Sequence, residues 1–118
     1  MIDHLGITVS DLDRSIRFYA AVLKPLGYEL AQRDATSAGF GPPNAPALWL
    51  YVGDVRRAAT HVALRAPDHS AVHRFHAAGL DVGARDHGAP GPRPDYSATY
   101  YAAFLLDPDG YNVEAVCP

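Results

Sequence analysis

A single cysteine, a single tryptophan and no cluster of basic residues are what the 118-residue chain offers in place of several common functional signatures. With Cys117 alone, no intrachain disulfide can form, and a reducing cytoplasmic setting is expected. A formal charge of −3 without lysine- or arginine-rich runs gives no electrostatic footprint for nucleic acid. Long apolar runs are missing too. No stretch approaches a membrane span, and residues 1–20 carry Asp3, His4, Asp11, Asp13, Arg14 and Arg17, so no secretory apolar core is expected there. What is present is ordinary for a globular domain: 48% hydrophobic and 19% charged residues, in a chain long enough for one core.

The strongest pattern is internal. His4-Leu-Gly-Ile-Thr-Val-Ser-Asp11 aligns with His61-Val-Ala-Leu-Arg-Ala-Pro-Asp68 at an offset of 57 residues, and Arg17-Phe18 then matches Arg74-Phe75. An offset near half the chain points to a duplicated unit, with modules at about 1–55 and 58–118. Each copy reads strand, helix, three strands. In the first, residues 2–9 alternate as a half-buried strand, and Ser10 with Asp13 resembles a capping box. Leu12, Ile16, Tyr19, Leu23 and Leu26 then recur at helical spacing until Pro25 and Gly27 end the helix. Strands are expected at about 28–33, 37–41 and 47–52. In the second copy a strand covers 60–66, Asp68 caps a helix over about 69–78, and strands follow at about 80–85, 99–106 and 111–116. Gly88 to Pro94 is too rich in glycine and proline for regular structure, and Asp107-Pro-Asp-Gly110 is a turn signal. The expected fold is therefore α+β, two tandem βαβββ modules forming a curved, cleft-bearing mixed sheet.

Strand parity locates the chemistry. Leu5, Ile7 and Val9 should pack under the first helix, which turns His4 to the opposite face. Val62 and Leu64 do the same for His61, and Val113 and Ala115 for Glu114. Two imidazoles and a carboxylate with open positions form a facial set that holds Fe(II) and related divalent ions. Arg65 shares the parity of His61 and could meet an anionic group. Trp49 and Tyr51 could line the cavity, as could one of Tyr100 and Tyr101, and Arg93 could close over a ligand from its loop. His69, His73 and His76 fall on one helical stripe without a carboxylate and read as a solvated face, and Asp107 and Asp109 read as turn formers.

These residues carry a resemblance. The chain is similar to the vicinal oxygen chelate superfamily, which includes glyoxalase I, fosfomycin-resistance thiol transferases, extradiol dioxygenases and bleomycin-resistance proteins. The resemblance rests on His4 to Asp11, His61 to Leu64, Leu106-Asp-Pro-Asp-Gly-Tyr-Asn-Val-Glu114 and the paired modules. It implies that His4, His61 and Glu114 bind a divalent metal (Fe, Mn, Zn, Ni or Co), that chains this short form homodimers, and that some clefts join modules of two chains. Glyoxalase I adds a ligand from the fourth strand of its first module, where this chain has Ala47-Leu-Trp-Leu-Tyr-Val52 and no such side chain. The expectation is a small metal-dependent lyase, isomerase, dioxygenase or thiol transferase acting on a small oxygenated molecule, and not a true glyoxalase I. The alternative is a metal-free module that sequesters a drug-like ligand.

Overall fold

A computed structural model describes residues 1–56 and 60–118. The first module comprises β1 (Leu5–Val9), α1 (Leu12–Leu23), β2 (Glu29–Arg33), β3 (Ser37–Gly41) and β4 (Leu48–Val52). The second comprises β5 (His61–Arg65), α2 (His69–Asp81), β6 (Arg85–Pro92), β7 (Tyr101–Leu106) and β8 (Asn112–Cys117). The module boundary expected at residue 58 falls outside the described residues. Each module builds a four-stranded mixed sheet, in the orders β1-β4-β3-β2 and β5-β8-β7-β6, so the duplication seen in sequence is a duplication of topology. In both, the first strand pairs parallel to the last and the remaining pairs are antiparallel.

Alternation sets the faces. Ile7, Val9, Leu48, Leu50, Ala38 and Phe40 are buried on the first sheet, and Val62, Val113, Ala115 and Leu105 on the second. Helix α1 covers the first set and α2 the second, and the two helices pack on each other, so one core runs through both modules. Each sheet's other face carries no helix. No helix among the described residues is long and apolar enough to cross a membrane.

Three details depart from the sequence reading. The cap of α1 is Asp11, which accepts from the Arg14 amide at 2.9 Å. Ser10 instead donates its amide and hydroxyl to Asp109 of the other module. Helix α2 runs on to Asp81, where a strand was expected from residue 80, and a turn with Gly83 at φ 86° follows it. Of the segment read as irregular, Gly88 to Pro94, the part up to Pro92 is in fact the second half of β6. Proline and glycine are tolerated because β6 is an edge strand, with one ladder partner. Its register to β7 shifts twice, between Asp86 and Gly88 and between Gly88 and Gly91.

The modules are also tied by polar bonds. Tyr19 on α1 donates to Asp107 Oδ2 at 2.8 Å, and Tyr111 donates to the Thr8 carbonyl at 2.8 Å. Asp107 is 2% exposed and accepts further bonds from the Asp109 and Tyr111 amides. Removing the Tyr19 hydroxyl leaves a buried carboxylate short of a donor, a loss of about 1–3 kcal/mol. Burial, followed by the Asp107 charge, pushes the Tyr19 phenol well above its ordinary value of 10.0. The phenol's contribution is therefore fully present below pH 10 and falls as pH rises toward its folded-state value. Urea titrations of Tyr19→Phe should show the neutral-pH loss together with a shallower alkaline decline than wild type.

Candidate functional site

The open face of the second sheet gathers the chemistry. In the β5–β8 register His61 pairs with Asn112 and Ala63 with Glu114, and in β7–β8 Phe104 pairs with Glu114. His61, Phe104 and Glu114 thus share one face, as strand parity predicts. The His61 Nδ1–H donates to the Asn112 carbonyl at 3.2 Å, which fixes the ring and directs Nε2 at Glu114 Oε2, 3.0 Å away. Glu114 is nearly buried, its side chain 3% exposed, while that of His61 is 47% exposed. Its other oxygen, Oε1, accepts from the Tyr100 hydroxyl at 2.7 Å. That bond, with burial adding to it, pushes the Tyr100 phenol up to about 12, so it is a proton donor at any physiological pH.

Around this core the face is aromatic and cationic. The Phe104 ring lies 6.3 Å from that of His61 at 24°, and the Arg93 guanidinium sits 5.3 Å from the Phe104 centroid. Arg93 does not hang free to close over a ligand. Its Nη1 donates to the Gly91 and Pro92 carbonyls and its Nη2 to that of Ala89, which makes it the clamp of the loop after β6. Gly88, at φ 154°, lets β6 pass beneath this group; a Cβ there would stand 2.8 Å from Phe104 Cδ2 and 3.3 Å from Arg93 Nη2. Phe104 and the Asn112 carbonyl escaped the sequence reading. Parity along β7 would have found Phe104, whereas a backbone acceptor leaves no sequence signal.

Tyr100 and Tyr101 divide as neighbours in a strand must. Tyr101 points to the helix side, where its hydroxyl bonds His73 Nε2 at 2.6 Å and its ring stacks on His69 at 3.9 Å. Of the two candidates for the cleft, Tyr100 is therefore the one on the open face, and Tyr101 drops out as a substrate contact. Of the histidine stripe, His69 and His73 are exposed as a solvated face requires, and only His76 turns inward, bonding Asp86 at 2.8 Å with its side chain 12% exposed. That bond, the largest cause, together with the Gly88 amide, holds the Asp86 carboxyl below its usual range. Arg65 stands exposed on the parity of His61 and makes no hydrogen bond or ion pair among the described residues.

The first sheet presents its own open face. Trp49 and Tyr51, on the parity of Gly6 and Thr8, run nearly parallel at 15° with centroids 6.3 Å apart. A Cβ on Gly6 would come within 2.9 Å of the Tyr51 ring, and one on Gly39 within 3.0 Å of Trp49, so glycines give both rings their room. His4 lies one residue before β1 with its Nδ1–H on Asp3 at 2.7 Å, which leaves Nε2 outward. His4 therefore belongs to one sheet, and His61 with Glu114 to the other. Among the described residues no three His, Cys, Asp or Glu side chains converge closely enough to hold an ion. The expected meeting of all three donors on one surface does not occur within a single chain.

The model of the glyoxalase/bleomycin resistance protein/dioxygenase superfamily matches residues 1–115. The chain belongs to that superfamily. Among solved structures, a glyoxalase/bleomycin resistance protein from Albidiferax ferrireducens T118 is similar at 26% identity and a TM-score of 0.82, with 98% of this chain and 97% of that one covered. A putative glyoxalase from Bacillus halodurans shares the fold at 23% identity and 0.75, covering 100% and 96%. The E144Q glyoxalase I mutant from Zea mays is 28% identical at 0.74, with 98% of this chain but 44% of that one covered. No curated protein matches the chain.

Gly88 tests the architecture of this face. Gly88→Ala combines a strained φ with a clash against Phe104, whereas Gly83→Ala at φ 86° meets nothing within 4 Å. Both should destabilise, by about 1–3 kcal/mol for the strained backbone. Gly88→Ala should cost more, and the difference in urea midpoint measures the packing of Phe104.

Proposed function

We propose that this member of the superfamily is a small metal-dependent enzyme whose ion is held by His61 and Glu114 of one chain and His4 of a second. The observation that carries the reading is the pair His61 Nε2 and Glu114 Oε2 at 3.0 Å. With Nδ1–H committed to a carbonyl, a neutral His61 turns a lone pair toward a carboxylate oxygen. A proton on Nε2 makes this contact an ion pair, and a metal ion would take that proton's place between the same two atoms. An imidazole fixed through its other nitrogen and a carboxylate fixed through its other oxygen are how metal ligands are held. The donor chemistry fits a divalent Fe, Mn, Zn, Ni or Co ion, and one chain is short of a third donor.

The third donor is what a twofold dimer would supply. β1 and β5 each end a sheet with one edge unpaired. Beside them an apolar cavity of about 410 Å³ is lined by Ile2, Leu5, Phe40, Leu48, Val62 and Leu64. Free edges flanked by exposed Ile2 and Leu5 favour association with a second copy. When bound, the ion would act as a Lewis acid on substrate oxygens. The chain's own groups then divide the remaining work. Glu114 and His61 hold position, Phe104 and Arg93 exclude water from one side, and Arg65 receives an anionic substituent. Trp49 and Tyr51 contact the apolar part of a small oxygenated substrate. The lone Cys117 suits a reducing cytoplasmic location. Lyase, isomerase, dioxygenase and thiol-transferase chemistry all fit this donor set. A metal-free sequestering protein is the rival reading, favoured by the stacked pair of half-buried Trp49 and exposed Tyr51.

Metal stoichiometry separates the two. Wild type should bind one divalent ion per chain, and His61→Ala or Glu114→Ala should weaken binding by more than about a hundredfold, beyond the usual cost of an outer partner. Unchanged binding in both variants would sink the assignment. Unfolding and refolding His4→Ala together with Glu114→Ala should restore about a quarter of the sites, the statistical share for a twofold dimer whose sites span two chains. Restoration should be absent if both residues act within one chain.

A second expectation concerns β4. With Trp49 and Tyr51 where glyoxalase I places a ligand, the hemithioacetal of methylglyoxal and glutathione should not turn over at ordinary enzyme rates of about 1–10³ s⁻¹. A spectrophotometric assay with the metal-loaded protein reads this directly, and a rate in that range would contradict it.

A further inference from the structure

We propose that Tyr100 is a positioning residue for the cation site, claiming one oxygen of Glu114 so that the other alone faces His61. The inference rests on the metal reading above. Its basis is a division of labour within one carboxylate: Oε1 accepts from the Tyr100 hydroxyl at 2.7 Å, and Oε2 faces His61 Nε2 at 3.0 Å. Glu114 is nearly buried, so its orientation is set by these partners and not by water. A carboxylate with one oxygen engaged by a strong donor presents a single oxygen to a cation, and the ring beside it is already fixed by the Asn112 carbonyl.

The hydroxyl arrives by construction. Tyr100 sits one residue before β7, at the end of a loop closed on itself. The Arg93 amide donates to the Tyr100 carbonyl at 2.7 Å, the Tyr96 amide to the Arg93 carbonyl at 3.0 Å, and the Tyr100 amide to the Ser97 carbonyl at 3.4 Å. Arg93 is in turn pinned by three carbonyls of β6 and lies over Phe104. Tyr96 backs the phenol edge-on, with ring centroids at 5.1 Å and 83°. The glycine- and proline-rich segment thereby delivers one hydroxyl to one carboxylate oxygen. Phenylalanine at position 100 would keep the packing and lose only the donor.

Co(II) is the probe, because its visible spectrum reports ligand geometry and its affinity can be titrated. Tyr100→Phe should bind Co(II) about 10–100-fold more weakly than wild type, the cost of losing an outer hydrogen bond to a ligand. Its Co(II) absorption bands should shift as the freed Oε1 becomes available, a change separate from the lower melting temperature that follows from a nearly buried carboxylate losing a donor. Tyr96→Phe, which removes an exposed hydroxyl, should leave affinity and spectrum unchanged. Wild-type affinity and spectrum in Tyr100→Phe would overturn the positioning role alone. So would a weaker affinity with an unshifted spectrum, the mark of a merely structural residue. If wild type takes up no Co(II), the metal reading falls and this inference falls with it.

Discussion

Asp107 is the group on which the arrangement of this chain depends. Its carboxylate is buried at the turn between β7 and β8, where it accepts from the Asp109 and Tyr111 amides and from the Tyr19 hydroxyl of the other module. Burial raises its pKa above the usual range, while the donors oppose the shift. A buried carboxylate is tolerable only when its lone pairs are met, so the turn, the start of β8 and helix α1 are held at fixed separations. Glu114 lies two residues into the strand that begins there. The register that sets Glu114 beside Ala63 and opposite Phe104 therefore starts from a bond between modules.

Much of this was legible in the residues. The 57-residue repeat became two sheets of equivalent strand order, and the alternation put Ile7, Val9, Val62, Val113 and Ala115 under the helices, whereas Leu5, expected with them, is 38% exposed beside the apolar cavity. Asp68 caps α2 as its sequence predicts. What failed did so for identifiable reasons. Proline and glycine spoke against a strand at 88–92, but an edge strand needs only half of its hydrogen bonds. The turn pattern Asp107-Pro-Asp-Gly110 gave no hint that both aspartates also bond the first module, since those partners, Ser10 and Tyr19, lie far away in sequence. Helical spacing of His69, His73 and His76 gave a wet face that His69 and His73 keep, but a single-helix pattern cannot show Tyr101 and Asp86 waiting on the neighbouring strands, and Asp86 draws His76 inward.

Parity carries a limit of its own. It assigns each residue to a face of its strand, and His61 and Glu114 took the assigned side, while His4 lies one residue before β1. It does not say whether two faces look at each other. In one chain the modules share their core through the two helices, and the donors of the first sheet are not brought to those of the second. In the proposed composite site, the fixed imidazole and carboxylate at 3.0 Å would be one half, with its orientation already set. The unpaired edges of β1 and β5 offer the route by which a second copy would bring the other half. Such an arrangement would make assembly a condition of chemistry, because neither half alone offers three donors.

The most direct measurement is the anomalous scattering from crystals grown with Co(II). The account predicts one peak per chain beside His61 Nε2 and Glu114 Oε2, with His4 of a second chain completing the set. A peak away from that pair, or none in crystals grown at saturating Co(II), would contradict it.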